Sequence, residues 1–300
     1  MQQDDRGKDG TFPTGLFSLS PEDSAPSDAP GELVRLDYDT YEAFSYAGKS
    51  QPMEKYAWVY LPYGYTPSNR YNIAYLMHGG WSNQGTFLGT PGHPTALRNQ
   101  IDHAIADGRI DPVIIVCPTY NNLSADDAAD YSLAIELTAR WPQELTNDLM
   151  PAVESAYSTY AEATTPEGLM AARDHRAFMG FSMGSVTTWR VFEQCLAYFR
   201  YFCPSSGNAG SGSHFDAAVA RQGFGPEDFA VIAMTGTRDF AGSGFTAQIE
   251  DMGRYPSFRN ESQESPNLIF RLNEGGSHDG DAAALYVVND LIYIWPGPKL

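Results

Sequence analysis

Basic residues are scarce in this chain. Nineteen Lys and Arg stand against 37 Asp and Glu, a formal net charge of −18, and no Lys/Arg cluster stands out. Polyanions are held by clustered cations, so nucleic acid and anionic membrane surfaces are not expected partners. Cysteine is nearly absent. Cys117, Cys195 and Cys203 show no C-x-x-C spacing or metal-ligand pattern, and one of the three must be left over in any pairing, so a disulfide framework is not indicated. Cys117 lies in an apolar run and is expected as a buried free thiol. H-E-x-x-H does not occur, so a catalytic zinc of that kind is not expected. No stretch is long and apolar enough for a bilayer. The start, "MQQDDRGKDG", lacks the charged-then-apolar plan of a signal peptide. The chain therefore reads either as cytoplasmic or as secreted with its signal already removed.

What is present begins after a polar leader. Residues 1–30, with "LSPEDSAPSDAPGE", read as a flexible leader or linker outside the core. Residues 31–300 are long enough to bury a sizeable core and are expected to form one domain. Eight β-rich runs follow, at 33–44, 55–62, 72–77, 113–118, 176–181, 199–204, 229–235 and 267–272. The first two are too close for an intervening helix and predict an antiparallel start. Later runs alternate with helical patterns near 94–107, 142–158, 183–197, 243–254 and 281–294. Within 142–158, Leu145, Leu149 and Val153 share one face, and Pro151 predicts a kink. Strands alternating with helices predict an α/β fold with an eight-stranded, mostly parallel sheet covered on both faces, the plan of the α/β-hydrolases.

Gly180-Phe181-Ser182-Met183-Gly184 matches G-x-S-x-G between an apolar strand and a helical run. At average Gly and Ser usage near 7%, a chain of this length would show about 0.1 such matches by chance. The motif lifts a serine above the sheet on a turn so tight that its neighbours cannot carry Cβ atoms. A serine hydroxyl is a weak nucleophile at neutral pH and requires a base and an orienting acid. In this fold they follow the serine in the order acid, then histidine. Of six histidines, His78, His93, His103, His175, His214 and His278, only His214 and His278 lie beyond Ser182. His278, in "NEGGSHDGD" after the last strand, is the expected base; His214, in the Gly/Ser loop "SSGNAGSGSHF", is expected at the rim or in solvent. Asp239, after the seventh strand, is the expected acid, ahead of Asp216, Asp251 and Asp279. Its task would be to fix the imidazole tautomer and stabilise the imidazolium.

"YLMHGGW" ends the third strand on a glycine pair. The N–H groups of Gly80 (or of Trp81) and of Met183 are the expected oxyanion hole, with His78 bracing the turn. Aromatics in the loops, Trp81, Phe87, Tyr120, Trp141 and Phe245, could wall a ring-binding cleft, and Trp81 and Trp141 are the expected substrate-binding residues.

Four stretches, "YAWVYLPYGYTPSNRYNIAYLMHGGWSN", "MGFSMGSVTTWRVFEQCLAYFRYFCPSSG", "GTRDFAGSGFTAQIEDM" and "EGGSHDG", resemble the feruloyl esterases of carbohydrate esterase family 1. The likeness runs from about Gly31 to near Trp295. It implies an α/β-hydrolase fold and cofactor-free release of ferulic and related hydroxycinnamic acids from arabinoxylan. The triad it implies is Ser182, Asp239 and His278. Feruloylated arabinoxylan is then the expected partner and an extracellular setting the expected location. Ser185 departs from the family, whose members often carry a third glycine there. Acetylxylan esterases share the family and form the alternative reading; a non-catalytic carbohydrate-binding protein is a more distant one.

Overall fold

The computed structural model describes residues 12–299. Its eight-stranded sheet comprises β1 (Glu32–Tyr41), β2 (Pro52–Leu61), β3 (Asn72–Met77), β4 (Val113–Cys117), β5 (Arg176–Phe181), β6 (Tyr201–Ser205), β7 (Ala230–Gly236) and β8 (Leu268–Asn273). The spatial order is β1-β2-β4-β3-β5-β6-β7-β8. β2 runs antiparallel to both β1 and β4, and the remaining pairs are parallel. Every residue of β4, β5 and β7 is buried, the continuous apolar run of strands covered on both faces.

Alternation along β3 assigns the two faces. Ile73, Tyr75 and Met77 point into one core, Ala74 and Leu76 into the other. The second face is covered by α1 (Ala96–Ala106) and α9 (Gly280–Ile294), through Leu97, Ile101 and most of α9. The first face takes α2 (Tyr131–Arg140), α3 (Pro142–Glu144), α4 (Met150–Ala156), α5 (Pro166–Ala171), α6 (Met183–Cys195), α7 (Gly212–Gln222) and α8 (Gly242–Met252). All three cysteines are buried and free. No described helix is long and apolar enough to cross a membrane.

Three sequence expectations need correction. Pro151 does not simply kink one helix: a π-helical turn, Leu145–Leu149, stands before it, and the Met150 N–H reaches back to the Leu145 carbonyl. The wider turn accommodates a residue with no N–H and a ring that crowds the preceding carbonyls. The segment read as a Gly/Ser loop around His214 is the start of α7, capped by Ser211, whose hydroxyl accepts the His214 N–H. Helices α2 and α5 were likewise not anticipated.

The third correction concerns the leader. From Phe12 onward it is strapped to the α9 face, with Phe12, Leu16, Phe17 and Leu19 packed on the core. The Phe17 N–H donates to Asn289 Oδ1 at 2.7 Å and the Asn289 amide donates back to the Phe17 carbonyl at 3.0 Å. Tyr293 donates to the Gly15 carbonyl at 2.8 Å, and Arg271 to that of Pro13. The Asp, Ser, Pro and Gly content reads as linker, but the apolar residues among them pack on the core and the backbone carbonyls of Pro13, Gly15 and Phe17 meet donors on β8 and α9. The expected leader residues 1–11 lie outside the described residues.

Candidate active site

Strands β3, β5, β7 and β8 are parallel, so the loops that follow them leave the same edge of the sheet. The "HGG" turn, Ser182, Asp239 and His278 all lie on those loops. Ser182 sits between the last residue of β5 and the first of α6, with φ 61° and ψ −119°. This is a strained backbone for a residue with a Cβ, at a cost of about 1–3 kcal/mol. The surroundings enforce it. The Ser182 N–H donates to the Ser205 carbonyl at 2.9 Å, and its own carbonyl accepts the Val186 N–H at 3.1 Å. A Cβ on Gly184 would strike the Met77 carbonyl, and one on Gly180 the backbone of Gly184, so the two glycines allow strand and helix to meet. Ser185, the departure from the family pattern, is fully buried and donates to the Gly207 carbonyl at 2.7 Å, which Trp189 also engages at 2.9 Å.

Asp239 and His278 are brought together across 39 residues. His278 Nδ1 lies 2.8 Å from Asp239 Oδ1 and 3.0 Å from Oδ2. The Asp239 side chain is wholly buried and its Oδ1 also accepts the Ala241 N–H at 2.8 Å. The loops carrying them are tied to one another, Arg238 N–H to the Gly276 carbonyl at 2.9 Å and Thr237 N–H to that of Asn273 at 3.1 Å. With Nδ1 committed to the carboxylate as donor, Nε2 is left as the basic nitrogen. The imidazole packs against Phe181, the residue before Ser182, with ring centroids 4.5 Å apart. The other carboxylates weighed for the acid are occupied elsewhere: Asp216 by Ser257, Asp251 by the Gly212 N–H, and Asp279 as the N-cap of α9. His214 points to Glu193, with Nε2 3.0 Å from Oε1.

The turn after β3 is braced from below. His78 is buried, its Nδ1 2.7 Å from the Gly79 carbonyl and its Nε2 2.7 Å from the Thr119 hydroxyl. The Gly79 carbonyl can only accept, so Nδ1 carries the proton and donates to it, and in the neutral ring Nε2 accepts from the Thr119 hydroxyl, whose oxygen also accepts the Asn121 N–H at 3.0 Å. Tyr120 stacks on the His78 ring and donates to the same Gly79 carbonyl at 2.9 Å. Burial lowers the His78 pKa to about 4, and the nearby Lys55 ammonium acts in the same sense. The imidazole is a neutral strut. A Cβ on Gly79 would stand 3.4 Å from the Ser182 Cβ, so the turn lies directly beside the serine. The Trp81 N–H is taken by the Ala128 carbonyl at 2.9 Å, so of the two N–H groups weighed in this turn that of Trp81 is already engaged. The Met183 N–H opens α6 and has no acceptor within the helix.

Of the expected ring-binding aromatics, Trp81 is the exposed one, 76% open at φ 54°, and Phe87 is half-buried against the core on the α9 face. Tyr120 and Phe245 are core residues. Trp141 does not face a cleft: it is 2% exposed, packs on Phe178 and donates its ring N–H to Glu144 Oε1 at 3.2 Å. Glu144 is itself buried against Lys55, so the indole serves an internal ion pair. Phe240, 81% exposed and 4.2 Å from the His278 ring, was not anticipated. Its signal lay in its place next to the acid. Among the described residues no group of His, Cys, Asp and Glu is disposed to hold a metal ion.

The fold and the loops at this edge define an α/β-hydrolase of the esterase class. A family described as "Putative esterase" matches residues 52–188. A solved structure of FAE superposes with a TM-score of 0.82 at 34% identity, covering 94% of this chain and 95% of its own. The serine-to-alanine mutant of the feruloyl esterase module from Clostridium thermocellum, complexed with sinapinate, superposes with a TM-score of 0.81 at 33% identity, covering 94% of both chains. Endo-1,4-beta-xylanase Y of Acetivibrio thermocellus is 39% identical over 79% of this chain, which spans 21% of that protein. The chain belongs to the feruloyl esterases of carbohydrate esterase family 1, and its class of reaction is carboxylic-ester hydrolysis.

Proposed function

We propose that this chain releases ferulic and related hydroxycinnamic acids from feruloylated arabinoxylan by two-step acyl transfer. Ser182 Oγ attacks the ester carbonyl while His278 Nε2 takes its proton. The N–H groups of Gly80 and Met183 hold the developing oxyanion, and Asp239 keeps the proton on Nδ1 and stabilises the imidazolium. His278 then protonates the departing sugar oxygen, and a water activated by the same nitrogen releases the acid. The exposed Trp81 indole, next to the oxyanion turn, offers a flat wall to an aromatic acyl group.

The observation that carries this reading is the His278–Asp239 pair, 2.8 Å apart, set against the residue that precedes the strained Ser182. The sinapinate complex of the related module supports a hydroxycinnamoyl acyl group, and the xylanase context of the relatives supports a polysaccharide ester met outside the cell. Rates on methyl ferulate and on an acetyl ester test the acyl assignment. A strong preference for methyl ferulate is expected; a preference for the acetyl ester would reassign the chain to acetylxylan.

A further inference from the structure

His278 is held between two phenyl rings of opposite character. Phe181 on the inner side is 8% exposed, while Phe240 on the outer side, 4.2 Å away and tilted by 43°, is 81% exposed. Phe240 is the most exposed large apolar side chain among the described residues. A ring so exposed contributes little of its possible burial to the fold. Its place is nonetheless fixed. The Asp239 N–H reaches the Gly236 carbonyl at 3.2 Å, the Gly242 N–H reaches the Asp239 carbonyl at 3.0 Å, and the Ala241 N–H reaches the Asp239 carboxylate at 2.8 Å. The turn that presents the acid thus presents the ring as well.

The position acquires meaning from the direction of proton transfer. If His278 Nε2 protonates the leaving oxygen, the carbon bearing that oxygen lies alongside the imidazole. The remainder of the alcohol then extends over whatever borders the imidazole on its open side, which is Phe240. Trp81, by contrast, adjoins the turn that would hold the carbonyl oxygen. A sugar presents a face of C–H groups, and the electron-rich face of a phenyl ring complements it.

We propose that Phe240 is the leaving-group platform: its ring stacks on the sugar to which the acyl group is esterified and makes the site selective for sugar esters over esters of small alcohols. The inference rests on the acyl-transfer reading given above.

The test compares two substrates with one acyl group, a feruloylated arabinose oligosaccharide and methyl ferulate, using the full chain. Any loss common to both, such as that from baring His278, cancels in the ratio of their kcat/KM values. Phe240→Ala should lower that ratio about tenfold, chiefly through KM for the sugar ester, and Phe240→Trp should keep it within about threefold of the parent. An unchanged ratio in Phe240→Ala, with the parent active on both esters, overturns the platform alone. A parent inactive on both esters overturns the acyl-transfer reading and the platform with it.

Discussion

Asp239 and His278 form a two-oxygen contact, Nδ1 lying 2.8 and 3.0 Å from the carboxylate oxygens, inside a pocket that leaves the Asp239 side chain no exposure. The pair fixes which ring nitrogen carries the proton. Asp239→Asn keeps the shape but lets the amide N–H face Nδ1, which places the proton on Nε2 and removes the base. A loss of about 10⁴ in kcat on methyl ferulate is expected, with little change in thermal stability. Steady-state kinetics with a thermal melt checks it, and a loss below tenfold contradicts it.

The strut under the oxyanion turn can be cut without touching the triad. Thr119→Val removes the hydroxyl that links the Asn121 N–H to His78 Nε2 and leaves both buried groups without that partner. The expected cost is about 1–3 kcal/mol in denaturant unfolding. kcat on methyl ferulate should fall as well, because the Gly79 carbonyl loses its rigid support.

His78 also sets a pH dependence of stability. Its folded pKa, lowered by burial to about 4, lies below the ordinary value of 6.5. Between these values the unfolded chain binds a proton that the folded chain refuses, so stability falls as pH drops from about 6.5 to about 4 and the effect is complete below it. Above pH 6.5 the residue costs nothing in this way. His78→Gln, which cannot titrate, should show a flatter fall over that window. Parallel slopes in urea unfolding from pH 7.5 to 4.5 would contradict the assignment.

The strap gives a prediction on stability rather than chemistry. Asn289 is fully buried and makes both of its leader contacts, at 2.7 and 3.0 Å, with the backbone of Phe17. Asn289→Ala should destabilise the chain by about 1–3 kcal/mol and make the segment near Phe17 the first site of limited proteolysis. Cleavage patterns identical to those of the parent would contradict the role.

The sequence made much of this architecture readable because strand burial and catalysis both leave local marks. All eight strands were found from short apolar runs, for a strand such as "VIIVC" buried on both faces has no polar position. Ser182 was legible from two glycines whose absence of Cβ is a steric necessity. Elements that depend on partners were not legible. Helix α7 opens with "GSHF" and draws stability from Phe215, Ala218 and Val219 packing inward, which the Gly/Ser run masked. The leader looked like linker because its anchors, Asn289, Tyr293 and Arg271, lie more than 250 residues away. Trp141 reads in the sequence as a loop aromatic, but a buried Glu144 claims its N–H. Phe240 carries no pattern of its own; its one mark in the sequence is its place next to Asp239.

The most direct measurement of the central claim is the identity of the acylated residue. The protein is mixed with methyl ferulate, quenched in acid within a turnover and mapped by peptide mass spectrometry. A feruloyl adduct on the peptide containing Ser182 is predicted, together with loss of both adduct and hydrolysis in Ser182→Ala. Full hydrolysis in Ser182→Ala, or an adduct on another residue, would contradict the account.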